Sequence, residues 1–261
     1  MLEWLGLPPA ASAHAGEIDQ MIVLTHWLMA VLFVGWGAFF LFVLAKFSRR
    51  ANPKANYAGA HGKFSKGVEI AIVIAEMVLL VGYAIPAWAR RVKQFPAESE
   101  ATVVRVVGAQ FAWNVQYPGA DGKFGRTDIK LVSAENPTGL DRTDPDAKDD
   151  ITDINFIHVP VDRPVLVHLT SMDVIHSFGL YEMRVKQDAI PGLSIPVWFI
   201  PTVTTADMSQ KLGQPNFQYE IACSQLCGLG HFRMRGYIVV HSAADYQKWM
   251  ADQVKELKAG D

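Results

Sequence analysis

The sequence holds only two cysteines in 261 residues, Cys223 and Cys227. That excludes a disulfide-dense scaffold and any four-cysteine iron–sulfur or zinc cluster within the chain. No C-x-x-C-H occurs, so no c-type haem is attached covalently. Charged residues are scarce at 19%, and the net charge is −2. No global positive field therefore points to nucleic acid. Disorder is excluded by a hydrophobic fraction of 50%. Lys and Arg are missing from the first 20 residues, and residues 20–45 lack Asp, Glu, Lys and Arg altogether.

That last absence is the first positive signal. About 20 apolar residues cross a hydrocarbon core, so residues 20–46 predict a transmembrane helix. The run is too long for the apolar part of a signal peptide, and no basic residue precedes it. A second apolar run spans about 67–90, interrupted by Glu69 and Glu76. The segment between the runs carries Lys46, Arg49, Arg50, Lys54, Lys63 and Lys66 and no acid. Arg90, Arg91 and Lys93 follow the second run. This bias predicts a cytoplasmic loop, a helical hairpin and both termini outside. Residues 1–92 then form the N-terminal segment and hairpin, and 93–261 a second domain. Glu69 and Glu76 sit seven residues apart on one helix face, roughly 10 Å apart along the axis. A carboxylate in lipid costs several kcal/mol unless it meets water or a partner, so that face predicts a partner membrane protein.

The second half, from residue 91, carries a net charge of −4 against +2 for the first. It reads mostly as strands. Phe111, Trp113, Val115 and Tyr117 alternate on one face. Thr102–Val107, Phe156–Val159, Val165–Leu169, Ser194–Ile200, Phe217–Ala222 and Gly236–His241 are short β-rich runs between turn residues. Such spacing predicts a sandwich or Greek-key barrel. Asp245–Lys258 reads as a closing helix. Asp121–Thr152 is a polar insertion in which Asp141, Asp144, Asp146, Asp149 and Asp150 crowd within ten residues. Such a run is usually a solvated loop; the alternative is a docking surface for a basic partner.

The stretch from Tyr219 to Met234 has the spacing C-x3-C-x3-H-x2-M, formed by Cys223, Cys227, His231 and Met234. Upstream, Asp173-Val-Ile-His176-Ser-Phe supplies a second histidine. Two thiolates, two imidazoles and a thioether are a soft donor set, which favours copper. A blue-copper site needs one thiolate fewer. Two thiolates bridging two coppers use the whole set, with one His on each metal. Met234 and the carbonyl of Gln225 then serve as weak ligands. A Cys223–Cys227 disulfide leaves His231 and Met234 at their spacing by chance, and a Cys2His2 zinc site does not require Met234. His231 and Met234 as plain core residues is the remaining alternative. All five side chains on one predicted β domain favour the copper reading. Leu226, Leu229 and Phe232 are expected to exclude water from the thiolates.

On these residues the chain resembles subunit II of the haem–copper cytochrome c oxidases, which carries the dinuclear CuA centre. The likeness extends over nearly the whole chain. A second match is Lys186-Gln-Asp188-Ala-Ile-Pro191-Gly192, spaced from His176 as in the family. The resemblance implies an N-terminal two-helix hairpin, an all-β cupredoxin-like Greek-key barrel and a C-terminal helix. Its implied CuA ligands are His176, Cys223, the Gln225 carbonyl, Cys227, His231 and Met234. Glu69 matches the family position at the mouth of a proton path into subunit I, and Glu76 has no family counterpart. The family's middle Glu between the cysteines is Gln225 here. That Glu also holds an interfacial Mg or Mn ion. Asp188 matches the other family ligand of the ion, and Gln225 brings it no charge. Phe111 replaces the aromatic through which electrons usually arrive.

The function so implied is electron input to an oxidase. Cytochrome c, or a similar haem donor, docks near Phe111 and Trp113. Electrons leave through the His231 side to a haem of subunit I, where oxygen reduction and proton pumping occur. The implied partners are subunits I and III, the donor and the lipid bilayer, with no nucleic acid. The motif departures favour a bacterial plasma membrane over a mitochondrial one, with the copper domain in the periplasm. The competing readings are a membrane-anchored copper carrier and a quinol-oxidase subunit that lost its copper. The first leaves Glu69 and Glu76 unexplained, and the retained ligands speak against the second.

Overall fold

A computed structural model describes residues 4–54, 57, 62–133 and 135–260, with the backbone alone for 258–260. The chain divides into two units, residues 1–7 with 17–93 and residues 8–16 with 94–261.

The first unit is helical. Helix α1 spans Ala15–Lys46, five residues earlier than its apolar run. Glu17 in its first turn and Lys46 in its last both complement the helix dipole. Its 32 residues give a length of about 48 Å, more than the ~30 Å of hydrocarbon it must cross. The second span is α2 (Lys63–Met77), a π-helical segment Val78–Ala84 and α3 (Ile85–Lys93). Pro86 explains the π segment. It has no N–H to give the Gly82 carbonyl, and the ladder shifts so that the Ile85 N–H donates to Leu80. Both helices are long and apolar enough to cross a membrane, and their spanning windows bury nothing. Glu17 pairs with Arg90 within this unit.

The second unit is the cupredoxin-like domain, with ten strands. They are β1 (Thr102–Ala109), β2 (Ala112–Tyr117), β3 (Ile151–Ile154), β4 (Phe156–Pro160) and β5 (Val165–Ser171). The remaining five are β6 (His176–Leu180), β7 (Val185–Ala189), β8 (Ile195–Phe199), β9 (Tyr219–Cys223) and β10 (Arg235–His241). They form two five-stranded sheets, ordered β3-β2-β1-β5-β8 and β4-β10-β9-β6-β7. Among the described strands, β1/β5 and β4/β10 pair in parallel and the other pairs are antiparallel. Alternating residues fill the core between the sheets: Val104 and Val106, Val165, Val167 and Leu169, Ile238 and Val240. Trp113 of one sheet meets Phe178 of the other edge to face, centroids 5.4 Å apart.

Two helices complete the unit. Helix α4 (Thr205–Leu212) starts at Thr204, whose hydroxyl accepts from the Asp207 N–H, and ends on Gly213 at φ +64°. Helix α5 (Ala243–Gly260) lays Trp249 on His158, rings 4.4 Å apart and nearly parallel. His158 Nδ1 and His241 Nε2 lie 2.8 Å apart beneath it. Burial, then the neighbouring His241, push His158 down to about 4.

Residues 8–16 belong to this unit and not with the hairpin. Ala11 is buried in the core, its N–H donates to Glu182 O, and the Thr202 N–H donates to Ala11 O. The acidic insertion is held by its own charges. Asp149 accepts from the Ala120 and Asp121 N–H groups, Asp150 from Gly125 and Gln116, and Asp144 from Arg126. The Arg126 guanidinium first, and then Thr143, hold Asp141 down to about 2. Four of the five crowded acids are thus engaged within the loop.

Candidate metal centre

The sheet of β9, β6 and β7 builds the site. Phe178 pairs with Cys223 across β6 and β9, which sets His176 two residues before that register point. His176 is the first residue of β6. It is fully buried. Cys223 ends β9. The chain then turns through Gln225 and Cys227 to a single 3-10 turn, His231–Arg233, and Met234 follows.

The donor atoms converge. Cys223 Sγ and Cys227 Sγ are 3.7 Å apart and both cysteines are free. His176 Nδ1 is 3.9 Å from Cys223 Sγ, and the Gln225 carbonyl 3.2 Å from it. His231 Nδ1 is 3.6 Å and Met234 Sδ 3.7 Å from Cys227 Sγ. Each thiol thus has its own imidazole and its own weak donor. All six expected ligands are brought together.

Geometry separates the metal alternatives. One tetrahedral zinc with bonds of about 2.0–2.3 Å would need four strong donors mutually within about 4 Å. His176, Cys223 and Cys227 lie within 4.8 Å of one another, and His231 is not of that group. Its Nδ1 is 3.6 Å from Cys227 Sγ. Two metals sharing the thiols fit this arrangement, and the soft donor set suits copper. Burial, then the adjacent Cys223 thiol, push Cys227 up to about 11. The Cys227 thiol therefore favours its protonated form without metal, and a bound cation must displace that proton.

His176 is oriented from behind. Its Nε2 lies 2.8 Å from Asp173 Oδ1, which turns Nδ1 toward Cys223. Burial raises the Asp173 carboxyl, but hydrogen bonds from His176, the Gln110 N–H and the Val174 N–H outweigh it and hold it below its usual range. Sequence reasoning quoted Asp173 without giving it this role. Its position three residues before a ligand histidine was the available signal.

The aromatics divide. Trp113 is fully buried, so it cannot touch a docked partner; its ring lies edge-on to His176, centroids 6.0 Å apart. Phe111 is half-buried and lies on the ligand loop. A Cβ at Gly230 would come within 2.4 Å of its ring. Leu226, Leu229 and Phe232 correct an expectation. They are 79%, 97% and 82% exposed and form an apolar surface on the loop. On the core side Cys227 and Met234 belong to the same buried cluster as Trp113 and Phe178, and Phe111 and Cys223 pack against it.

Asp188 lies on β7 opposite Ser177, with its side chain exposed. Among the described residues, no cluster of three possible metal-binding side chains includes it. Glu69 lines an apolar groove between α1 and α2 together with Gly35, Trp36, Phe39 and Val68. Glu76 is exposed on α2, one turn beyond that groove.

Comparison with known proteins points to one family. The family profile described as cytochrome C oxidase subunit II, periplasmic domain, matches residues 102–243. The alternative cytochrome c oxidase subunit 2 of Bradyrhizobium diazoefficiens is 30% identical over 91% of this chain and 80% of its own length. The probable cytochrome c oxidase subunit 2 of Rickettsia bellii is 29% identical over 100% and 88%. The cytochrome c oxidase subunit 2 of Cereibacter sphaeroides is 28% identical over 94% and 78%.

Proposed function

The chain belongs to the cytochrome c oxidase subunit II family, and from that premise we propose that it is the electron-input subunit of a haem–copper oxidase. In this reading it takes electrons from cytochrome c, or a similar haem donor, and delivers them to a haem of subunit I. Oxygen reduction and proton pumping occur in that larger subunit. The observation that carries the proposal is the paired donor set, two free thiols 3.7 Å apart, each with its own imidazole.

His176, Cys223, the Gln225 carbonyl, Cys227, His231 and Met234 would hold a copper pair. A copper pair held there would supply single-electron relay with little reorganisation. The protein's own part is to hold the donors still. β6 and β9 fix His176 and Cys223 by register, and Asp173 fixes the His176 tautomer. Phe111 presents its ring where a donor can reach it, while Trp113 packs behind. The exposed Leu226, Leu229 and Phe232 offer apolar contact around the ligand loop. The net charge of −4 on residues 91–261 favours a basic donor. His231, half-buried on the far side of Cys227, is the exit toward subunit I. Glu69 would stand at the mouth of a proton path in that subunit. Asp188 would be this chain's single carboxylate on an interfacial Mg or Mn ion, without help from Gln225. Subunits I and III, a bacterial plasma membrane and a periplasmic β domain complete the reading.

The test is electron paramagnetic resonance of the full chain in detergent, loaded with copper and partly oxidised. The expected result is a hyperfine pattern from one electron shared over two copper nuclei. A one-copper pattern would sink the dinuclear reading and favour a carrier protein. No copper signal, with Cys223 and Cys227 joined to each other, would make the motif structural.

A further inference from the structure

We propose that Gln110 is a positioning residue of the metal centre, tying its two ligand-bearing segments in register. The inference rests on the copper reading above. The ligands come from two stretches far apart in sequence, His176 on β6 and Cys223–Met234 beyond β9. The side of the site facing Phe111 is crossed by one residue bonded to both. The Gln110 backbone N–H donates to Asp173 Oδ2 at 2.7 Å, and Asp173 Oδ1 is the atom that faces His176 Nε2. The Gln110 side-chain Nε2 donates to the Cys227 carbonyl at 2.6 Å. One end of Gln110 therefore reaches the first imidazole through a carboxylate, and the other reaches the backbone of the second thiol.

The ligand loop is shaped to admit this contact. Gly228 follows Cys227 at φ +132°, and a Cβ there would lie 2.7 Å from Gln110 Nε2. Only glycine adopts that backbone without strain and leaves room for the amide. Gln110 itself is exposed, so core packing does not account for it. What it contributes is a donor at a fixed reach. Methionine has the length without the donor. Glutamate has the shape but presents an acceptor to a carbonyl. Asparagine is one methylene short. A hydrogen bond to the carbonyl of a ligand residue fixes the direction of its Cα–Cβ bond, and so the placement of the thiolate.

The experiment uses the full chain in detergent, loaded with copper, with Gln110→Met, Gln110→Glu and Gln110→Asn beside the parent. Three readouts are taken: the two-copper hyperfine pattern, the reduction potential, and the rate of copper loss to excess chelator. All ligands remain, so each variant should still bind two coppers per chain. Removing such a supporting bond typically costs 10–100-fold in metal affinity. Gln110→Met should therefore lose copper roughly 10-fold faster, with a shifted potential and altered hyperfine splitting. Gln110→Glu should be worse, and Gln110→Asn intermediate. Melting of the copper-free forms is the folding control. If Gln110→Met does not melt cooperatively, Gln110→Asn decides the matter. Variants that match the parent in spectrum, potential and copper loss overturn the proposal. So do variants whose melting temperature falls equally with and without copper while the spectrum stays fixed. A parent chain that gives no two-copper pattern overturns the copper reading itself, and this tie with it.

Discussion

Replacing Gly230 by alanine tests the contact between Phe111 and the ligand loop most directly. Gly230 has φ −91° and ψ 6°, a conformation that alanine adopts, so the backbone contributes no penalty. The added Cβ would lie 2.4, 2.6 and 2.7 Å from three atoms of the Phe111 ring. Ordinary carbon contacts lie at about 3.5–4.0 Å, so ring or loop must give by about 1 Å. Overpacking of this kind costs about 1–3 kcal/mol. For a unit of this size that lowers the melting temperature by roughly 2–12 °C. The assay is thermal melting of the copper-free full chain, followed by near-ultraviolet circular dichroism. The same substitution is then made on a Phe111→Ala background. With the ring gone, Gly230→Ala should cost almost nothing, giving a coupling energy of about 1–3 kcal/mol. Equal destabilisation in both backgrounds, or none in either, would refute the stacked arrangement.

Three further outcomes are expected. His158 is held neutral by burial, with its folded pKa near 4 against an unfolded value of 6.5. The folded state thus binds fewer protons, so the stability is intact above pH 6.5 and falls as pH drops toward 4, by roughly 3 kcal/mol in all. His158→Phe should remove that part of the acid sensitivity, and parallel melts at pH 7 and pH 4.5 check it. Cys227→Ser should abolish the two-copper hyperfine pattern while leaving one-copper binding at His176 and Cys223; an unchanged pattern would remove Cys227 from the site. Glu76→Leu should raise the yield of the isolated chain, since a mid-span carboxylate costs about 3 kcal/mol. It should lower co-purification with the haem-bearing subunit, and a gain in both measurements would mean that Glu76 faces no partner.

The parts that were legible in the sequence are those where one residue type suffices. Apolar runs announced both helices of the hairpin, and the spacing from Cys223 to Met234 announced the donor set. The strands β1, β2, β4, β5, β8, β9 and β10 carry β-branched or aromatic residues in runs. Missed elements lack such a signal. β7 reads Val-Lys-Gln-Asp-Ala, and its middle residues are not core. β3 lies at the end of the acidic insertion, where Asp153 and Thr152 hide its alternation. Helix α4 buries a single side chain, Met208, and is defined by its capping residues instead. Leu226, Leu229 and Phe232 misled for another reason. Hydrophobicity says that a side chain should be covered, but it does not say whether its own chain or another molecule covers it. The Asp173 and Gln110 contacts depend on which residues the folded loops bring together, and no local pattern encodes that.

The strap at residues 8–16 has a consequence for how the protein is made. Ser12 Oγ donates to the carbonyl of Met183, 171 residues further along the chain. Ala13 reaches Ile200 in the same way. Residues 11–13 therefore wait for residues 182–202 before their polar groups are satisfied. Both apolar helices lie between the two in sequence. Residues 8–16 and the β sandwich form one unit, so they must end in one aqueous compartment. Were the two kept apart, the sandwich would lack the Ala11 strap against its core, although every residue of the sandwich itself is intact.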